Sequence, residues 1–162
     1  MSVLADPTAP SKPNILAQRS GENSGEQFSL AVVEDSDYQD LELEVKFKAV
    51  GGEEDQGGGL IWRYQDPGNY YIARANPLED NFRIYRIVGG WRKQLQNANV
   101  KVTSGTWHIM RVVAKGDRME GFYNGKKWLE IRDATFPCGK IGLWTKADAL
   151  THFDDLQVRP LK

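Results

Sequence analysis

The sequence predicts an all-β fold, a two-sheet antiparallel β-sandwich or jelly roll, and three observations support this prediction. Apolar and polar residues alternate from Asp40 to Val50, which is the pattern of a strand with one buried and one solvated face. Short segments of this kind recur along the chain and are separated by turn residues. No segment has a sustained helical period with caps, so an α/β fold is not expected.

The domain organisation follows from the chain length and from the prolines near the start. The 162 residues suit one domain with a sizeable core. Residues 1–13 contain three prolines among small polar residues, which predicts an extended N-terminal arm. Residues 14–162 are predicted to form a single β-sandwich domain.

The predicted strands follow one another at short intervals. Residues 40–50 are the clearest, with five apolar side chains on one face and four charged side chains on the other. The other strand segments are 14–18, 27–33, 59–65, 70–76, 82–88, 99–103, 107–115, 118–123, 127–132, 140–145 and 149–158. The Asn124-Gly125 pair predicts a two-residue hairpin turn, because both residues accept a positive φ. The glycine-rich acidic segment 51–59 is predicted to be a flexible loop.

Two arginines lie in the hairpin predicted over residues 59–76. If residues 66–69 form a type II turn, Arg63 lies opposite Ile72 and Trp62 lies opposite Ala73. The core face then carries Leu60, Trp62, Tyr64, Tyr71, Ala73 and Ala75. The open face carries Ile61, Arg63, Gln65, Tyr70, Ile72 and Arg74. Both arginines therefore share one face with a tyrosine, unless one strand is displaced by one residue, which would separate them.

Composition and charge exclude several classes of protein. The net charge of −1 gives no electrostatic reason to expect nucleic acid as a partner. No apolar run approaches the ~18 residues of a membrane span, and residues 1–14 lack the pattern of a signal peptide. The lone Cys138 cannot form an internal disulfide and is predicted to be a small buried residue. Nothing in the sequence predicts the oligomeric state.

Basic and aromatic side chains recur on the face that the core pattern leaves open. Arg83 and Tyr85 of the next strand are expected to join Arg63, Tyr70 and Arg74 there. Guanidinium groups that donate hydrogen bonds beside flat aromatic rings suit a neutral sugar or polyol. The alternative is a solvated sheet with cross-strand ion pairs, each of which contributes little to stability.

Two sequence blocks are distinctive, "NYYIARANPLEDNFR" and "GLWTKAD". Through them the chain resembles, from about residue 14 to the end, the bacterial 3-keto-disaccharide hydrolase family of the concanavalin A-like lectin/glucanase superfamily, whose fold is a two-sheet jelly roll. It implies a secreted or periplasmic protein that binds a saccharide or glycoside on its concave sheet. The positions that match as ligand-binding candidates are Arg63, Tyr70, Arg74, Asn76, Arg83 and Trp144.

The chemistry expected of such a site depends on the sugar. Ordinary glycoside hydrolysis uses two carboxylates across the bond, and the E-x-D-x-x-E pattern of the superfamily's glucanases is absent from this chain. A 3-keto-glycoside can instead be cleaved by elimination, which needs a base and a group that stabilises an enolate. Candidate bases are Glu79, Asp80 and Asp148. Lys146 is the candidate oxyanion stabiliser, with Arg74 and Arg83 as alternatives.

Metal binding and catalysis are both left open by the sequence. His108 and His152 lack metal-ligand spacing, and no cofactor is predicted. Asp154 and Asp155 could contribute to a structural calcium site, or one of them could form a bulge that ends a strand. The alternatives to a keto-glycoside-cleaving enzyme are a non-catalytic carbohydrate-binding or interaction module and a purely structural sandwich.

Overall fold

A computed structural model describes residues 1–162 and contains thirteen β-strands and no helix, hence no helix able to cross a membrane. The strands are β1 (Ser2–Ala5), β2 (Asn14–Gln18), β3 (Phe28–Val32), β4 (Leu41–Gly51), β5 (Gly58–Asp66), β6 (Asn69–Asn76), β7 (Asn81–Val88), β8 (Trp91–Asn99), β9 (His108–Lys115), β10 (Arg118–Tyr123), β11 (Lys126–Arg132), β12 (Lys140–Lys146) and β13 (Leu150–Pro160).

The strands form two antiparallel sheets that pack face to face, so the predicted β-sandwich is confirmed. The seven-stranded sheet has the order β1-β2-β13-β4-β9-β10-β11, and the six-stranded sheet has the order β3-β12-β5-β6-β7-β8. The strand β4 shows the predicted alternation, with every second side chain buried from Leu41 to Ala49. We call the outer surface of the six-stranded sheet the concave face.

The main core lies between the sheets and contains 23 buried residues. It combines alternate positions of β4 and β9 from one sheet with those of β5, β6 and β7 from the other. Each large apolar side chain that is fully buried contributes about 1.5–3 kcal/mol, so this layer supplies most of the stability of the fold.

Two strands were not predicted, and one predicted strand was wrong. The strand β8 is a polar edge strand, "WRKQLQNAN", without the alternation that marks a half-buried strand. In the predicted strand 99–103, Asn99 ends β8 and residues 100–103 form a loop, from which Val100 and Val102 insert into the core. The segment predicted as an arm contains β1, which pairs with β2 at the edge of the seven-stranded sheet. Cys138 is half-buried rather than buried.

The register of the β5–β6 hairpin differs from the prediction because β5 contains a bulge. Asp66 lies opposite Asn69 as expected, but Trp62 lies opposite Tyr71 instead of Ala73. Three residues of β5 therefore face one residue of β6, and Arg63 within this bulge has a φ of 48°. In this bulge, Arg63 and Tyr64 lie on the opposite faces from those predicted. Arg63 leaves the concave face, and Tyr64 packs there against Tyr70 with ring centroids 5.6 Å apart.

The concave face carries a second apolar cluster of its own. Its buried members are Ile61, Tyr70, Ile72, Tyr85, Ile87 and Trp144. The six-stranded sheet curls until its two edge strands approach across this face. Phe28 of β3 packs on Trp144, and the guanidinium of Arg92 from β8 lies 5.9 Å from the Phe28 ring. The edge strands thereby cover the middle of the sheet, which a flat sheet would leave open to solvent.

Candidate functional site

A line of charged side chains crosses one end of the six-stranded sheet. We call Glu26, Lys146, Asp55, Arg74, Glu79 and Arg83 the polar row; neighbouring members alternate in sign and are joined by ion pairs. Lys146 ends β12, Arg74 lies near the end of β6, and Arg83 lies near the start of β7. Because adjacent antiparallel strands bring these positions to the same end of the sheet, side chains distant in sequence become neighbours.

Asp55 lies at the centre of the polar row. Its Oδ2 atom lies 3.4 Å from Arg74 Nη1 and 3.7 Å from Lys146 Nζ. The Nδ2 group of Asn76 donates to Asp55 Oδ1 at 3.0 Å. Burial raises the pKa of the Asp55 carboxyl, and the nearby Arg74 and Lys146 charges partly oppose that change. Asp55 is therefore a buried carboxyl held between two cations.

Glu79 is the more accessible carboxylate, with 50% of its side chain exposed. Its Oε2 atom accepts hydrogen bonds from Asn81 at 2.9 Å and from Arg74 at 3.0 Å, and it lies 3.6 Å from Arg83 Nη1. The hydrogen bond from Asn81 lowers the pKa of Glu79, and Arg74 contributes in the same direction. Glu79 is thus kept ionised at the solvent side of the row.

The Asp55 loop is fixed by Asp148. The two carboxylate oxygens of Asp148 accept hydrogen bonds from the backbone N–H groups of Glu53, Glu54 and Asp55 at 2.7–3.1 Å. These donors, first that of Asp55, lower the pKa of Asp148. Asp148, a predicted base, therefore positions the loop that carries Asp55. The same contacts make residues 53–55 an anchored loop, whereas the sequence predicted a flexible one.

Four of the predicted site residues meet in the polar row: Arg74, Glu79, Arg83 and Lys146. Asn76 joins them from beneath, because its side chain is buried and holds both Asp55 and the turn that carries Glu79. Asp80 points away from the row, and its carboxylate accepts a hydrogen bond from the backbone N–H of Val102 at 3.0 Å.

Arg63 does not share a site with Arg74, which corrects the predicted pair. Its guanidinium donates to the backbone carbonyls of Gln39, Gly116 and Phe136 at 2.8–3.2 Å, and it lies 3.4 Å from Asp40. Gly116 lies in the β9–β10 turn of the seven-stranded sheet, whereas Gln39 and Phe136 lie in loops that run between the two sheets. The positive φ in the β5 bulge directs the side chain there, so Arg63 ties the two sheets together at one end.

Tyr70 and Trp144 lie on the predicted face but are fully buried there. Both belong to the second apolar cluster under Phe28 and Arg92, so neither can contact a ligand in this structure. Burial also raises the pKa of Tyr70. The curl of the six-stranded sheet, which the sequence pattern does not specify, accounts for this correction.

The aspartates considered for calcium occupy a bulge of β13 on the seven-stranded sheet. Asp154 accepts a hydrogen bond from Ser11 N at 2.6 Å, and Asp155 pairs with Lys46 at 2.8 Å. No group of three or more histidine, cysteine, aspartate or glutamate side chains could hold a metal ion in the structure. The calcium site stays a prediction that metal titration can check.

Asp55 and Glu26 are members of the polar row that the sequence reasoning missed. Both lie in loops without strand periodicity, and Asp55 is one of three acidic residues in "GGEEDQGGG". The usable signal was the glycine on each side of this acidic group, since a loop held close to a sheet needs small residues. A Cβ atom at Gly57 would lie 2.2 Å from the Ala75 carbonyl oxygen.

Comparison with known proteins assigns this chain to a family and a fold. A family described as the 3-keto-alpha-glucoside-1,2-lyase-like domain matches residues 12–159. No curated protein sequence matches the chain with significance. The carbohydrate-binding module CBM66 from Bacillus subtilis is similar in structure, with a TM-score of 0.80 and 18% identity, over 94% of this chain and 89% of that one.

Two further solved structures share the fold. The galectin LEC-6 from Caenorhabditis elegans has a TM-score of 0.60 and 13% identity, over 85% of this chain and 94% of that one. The GH43 protein BlXynB from Bacillus licheniformis has a TM-score of 0.66 and 13% identity, over 98% of this chain and 36% of that one. The sandwich is therefore of the jelly-roll type found in carbohydrate-binding and glycosidase-like proteins.

Proposed function

The chain belongs to the 3-keto-alpha-glucoside-1,2-lyase-like domain family, and from that premise we propose that the polar row binds a glycoside of a keto-sugar. The observation that carries this proposal is the alternation of cations and carboxylates from Glu26 to Arg83. A sugar presents hydroxyl groups that donate and accept in turn, and its ketone accepts only. Such a ligand suits a surface that offers both kinds of partner.

The accessible members of the row are the proposed ligand contacts. The side chains of Glu26 and Glu79 are 67% and 50% exposed, and Arg83 is partly exposed. Lys146 and Arg74 lie deeper and hold the carboxylates in place. Arg74 retains one buried donor, Nε, without a hydrogen-bond partner. The row thus combines fixed charges below with carboxylate and guanidinium groups at the surface.

Cleavage by elimination is a second candidate function, and the raised pKa of Asp55 favours it. In such a step the base removes the proton next to the ketone, and the electron pair moves onto the ketone oxygen as an enolate. The enolate then re-forms the ketone with a new double bond as the glycosidic C–O bond breaks, and the departing oxygen takes a proton. Lys146 is the proposed enolate partner. Asp55 is almost completely buried, so this step requires the row to open around it.

The binding proposal is tested by calorimetry with a panel of 3-keto-glucosides and the corresponding unoxidised glucosides. We expect Glu79→Gln and Lys146→Met to weaken binding about tenfold or more. The matched control is Asp80→Asn, which neutralises the neighbouring carboxylate outside the row and should bind like the wild type. Failure of the wild type to bind any member, or unchanged binding by both row variants, would overturn the proposal.

The cleavage proposal is tested separately by following release of the aglycone from a 3-keto-glucoside. Wild type should release it, and Asp55→Asn should lose at least about a hundredfold in rate. Binding of the 3-keto-glucoside without release of the aglycone would contradict the cleavage proposal and leave saccharide binding as the function.

A further inference from the structure

One tryptophan stands at the surface with no packing partner in the core. Trp91 is 83% exposed, the largest value among the exposed large hydrophobic side chains of the protein. It begins β8 directly after the Gly89-Gly90 turn, where both glycines have positive φ, as a tight two-residue hairpin needs. A single exposed ring is common at protein surfaces, so the surroundings of Trp91 decide whether it can receive a ligand.

The turn that carries Trp91 is anchored. Gly90 N donates to the Gly68 carbonyl at 3.0 Å, and Gly89 N donates to Asn69 Oδ1 at 3.1 Å. The β7–β8 turn is therefore tied to the β5–β6 turn beside it. An aromatic ring on an anchored turn loses little conformational freedom when a ligand stacks on it.

A groove of about 510 Å³ lies between this turn and the start of β3, and it is lined by Glu26, Phe28, Gly89, Gly90, Trp91 and Arg92. The volume falls in the range of small-molecule sites. The turn itself is not covered by other parts of the chain, since a Cβ atom at Gly89 or Gly90 would meet no atom within 4 Å beyond its chain neighbours.

Arg92 supplies unused hydrogen-bond donors to this groove. Its guanidinium stacks on the Tyr85 ring at 4.5 Å, and its Nη2 atom lies 3.8 Å from Glu26, beyond hydrogen-bond range. Its Nη1 atom is buried without a hydrogen-bond partner, so Nη2, the nitrogen nearest to Glu26, is the donor available to a ligand. A guanidinium positioned by stacking rather than by acceptors keeps capacity for a ligand oxygen.

We propose that this groove binds one ring of a neutral saccharide, with a C–H face of the sugar on the Trp91 indole and its hydroxyl edge between Glu26 and Arg92. The opposite charges of Glu26 and Arg92 cancel, which favours a neutral ligand over a phosphate or a cation. The inference rests on the proposed function in one respect: Glu26 also lies 3.4 Å from Lys146, so the groove continues the polar row. A ligand that occupies both would extend over more than one ring.

The test compares one-ring and two-ring ligands by calorimetry, with methyl α-glucoside against maltose, trehalose and sucrose in native and 3-keto forms. We expect Trp91→Ala to lose about tenfold in affinity for the two-ring ligand that wild type binds best, with little change for the one-ring ligand. Trp91→Phe should recover part of the loss, because it restores a flat ring. Trp128→Ala is the control for loss of a tryptophan away from the groove, since Trp128 lies on the opposite sheet and packs partly on the core.

The outcomes separate this inference from the function of the polar row. Unchanged binding by Trp91→Ala, with weakened binding by Glu79→Gln, overturns the groove and leaves the row. Weakened binding by Trp91→Ala, with unchanged binding by Glu79→Gln, supports saccharide binding in the groove and contradicts binding by the polar row. If the wild type binds no saccharide of the panel, both proposals fail. Circular dichroism of each variant shows whether it is folded, which is expected at a position as exposed as Trp91.

Discussion

The carboxylate of Asp55 and the guanidinium of Arg74 form an ion pair from which water is almost entirely excluded. Oδ2 lies 3.4 Å from Nη1, and the two side chains are 5% and 2% exposed. Each charge offsets part of the cost of burying the other. The centre of the candidate site is therefore also a structural element, and changes there affect stability as well as binding.

Removing the Asp55 carboxylate is expected to destabilise the protein. Asp55→Ala leaves Arg74 buried with one partner fewer, and the loss of one member of a buried pair costs about 3–5 kcal/mol. Urea unfolding measures the change. Glu26→Ala is the control, because its exposed ion pair with Lys146 contributes at most about 1 kcal/mol. Equal losses of unfolding free energy in Asp55→Ala and Glu26→Ala would contradict the expectation that the buried pair contributes more than the exposed one.

Replacing Arg63 by lysine tests whether its planar group ties the two sheets. A lysine ammonium cannot reproduce the forked hydrogen bonds to three backbone carbonyls, so Arg63→Lys should lose about 2 kcal/mol of unfolding free energy. Both side chains have the same backbone preference at a φ of 48°, so strain does not contribute to the difference. The exposed Arg118→Lys change should leave the unfolding free energy almost unchanged. Thermal denaturation of both variants decides between these expectations.

Asp148 is predicted to control the mobility of the Asp55 loop. Asp148→Ala removes the acceptor of three backbone N–H groups, and hydrogen exchange at residues 53–55 should accelerate about tenfold or more. Because the Glu53 and Glu54 donors lie near the surface, water replaces part of the interaction, and the stability loss should be only about 1–2 kcal/mol. Asp148→Asn keeps one acceptor oxygen, so its exchange rate and stability should lie between those of the wild type and of Asp148→Ala. Unchanged exchange in the alanine variant would show that other contacts hold the loop.

Acid should release the N-terminal segment from the seven-stranded sheet. The hydrogen bond from Thr8, followed by that from Lys48, lowers the pKa of Asp6 well below its usual range. A carboxyl whose folded-state pKa is lowered stabilises the native state above its unfolded pKa of about 4, and this contribution disappears as the pH falls through the folded-state value.

The Asp6→Asn variant tests that pH dependence. It should lose about 1–2 kcal/mol at pH 7, and its stability should fall less steeply than that of the wild type between about pH 5 and pH 2. Urea unfolding at a series of pH values measures both quantities. Parallel curves for the two proteins would mean that Asp6 does not couple folding to protonation.

The sequence was sufficient to predict the sandwich because alternation is a local property of each strand. The strand β4 was found almost to the residue, since its five inward positions are all apolar. The edge strand β8 was missed because a strand exposed to solvent on one edge can be polar throughout. Alternation of apolar and polar residues indicates a half-buried strand, so it does not identify strands that bury few side chains.

The candidate site was predicted only in part, because its geometry depends on long-range packing. Arg74, Glu79, Arg83 and Lys146 lie at strand ends that the antiparallel order brings together. Asp55 enters from a loop whose position is set by Asp148, 93 residues away in the sequence. The burial of Tyr70 and Trp144 depends on the curl of the sheet, which no single strand encodes.

The bulge in β5 shows which insertions the β5–β6 hairpin can accept without exchanging its two faces. Between Trp62 and Asp66, β5 has two residues more than the facing part of β6. On the other side of the bulge, Leu60 and Trp62 still point into the core and Ile61 still points to the concave face. Because side chains alternate with a period of two, an even insertion preserves the identity of both faces. An odd insertion at the same place would turn the core side of β5 outward. Whether the number of inserted residues is even or odd, rather than the number itself, therefore decides whether the hairpin keeps its core face.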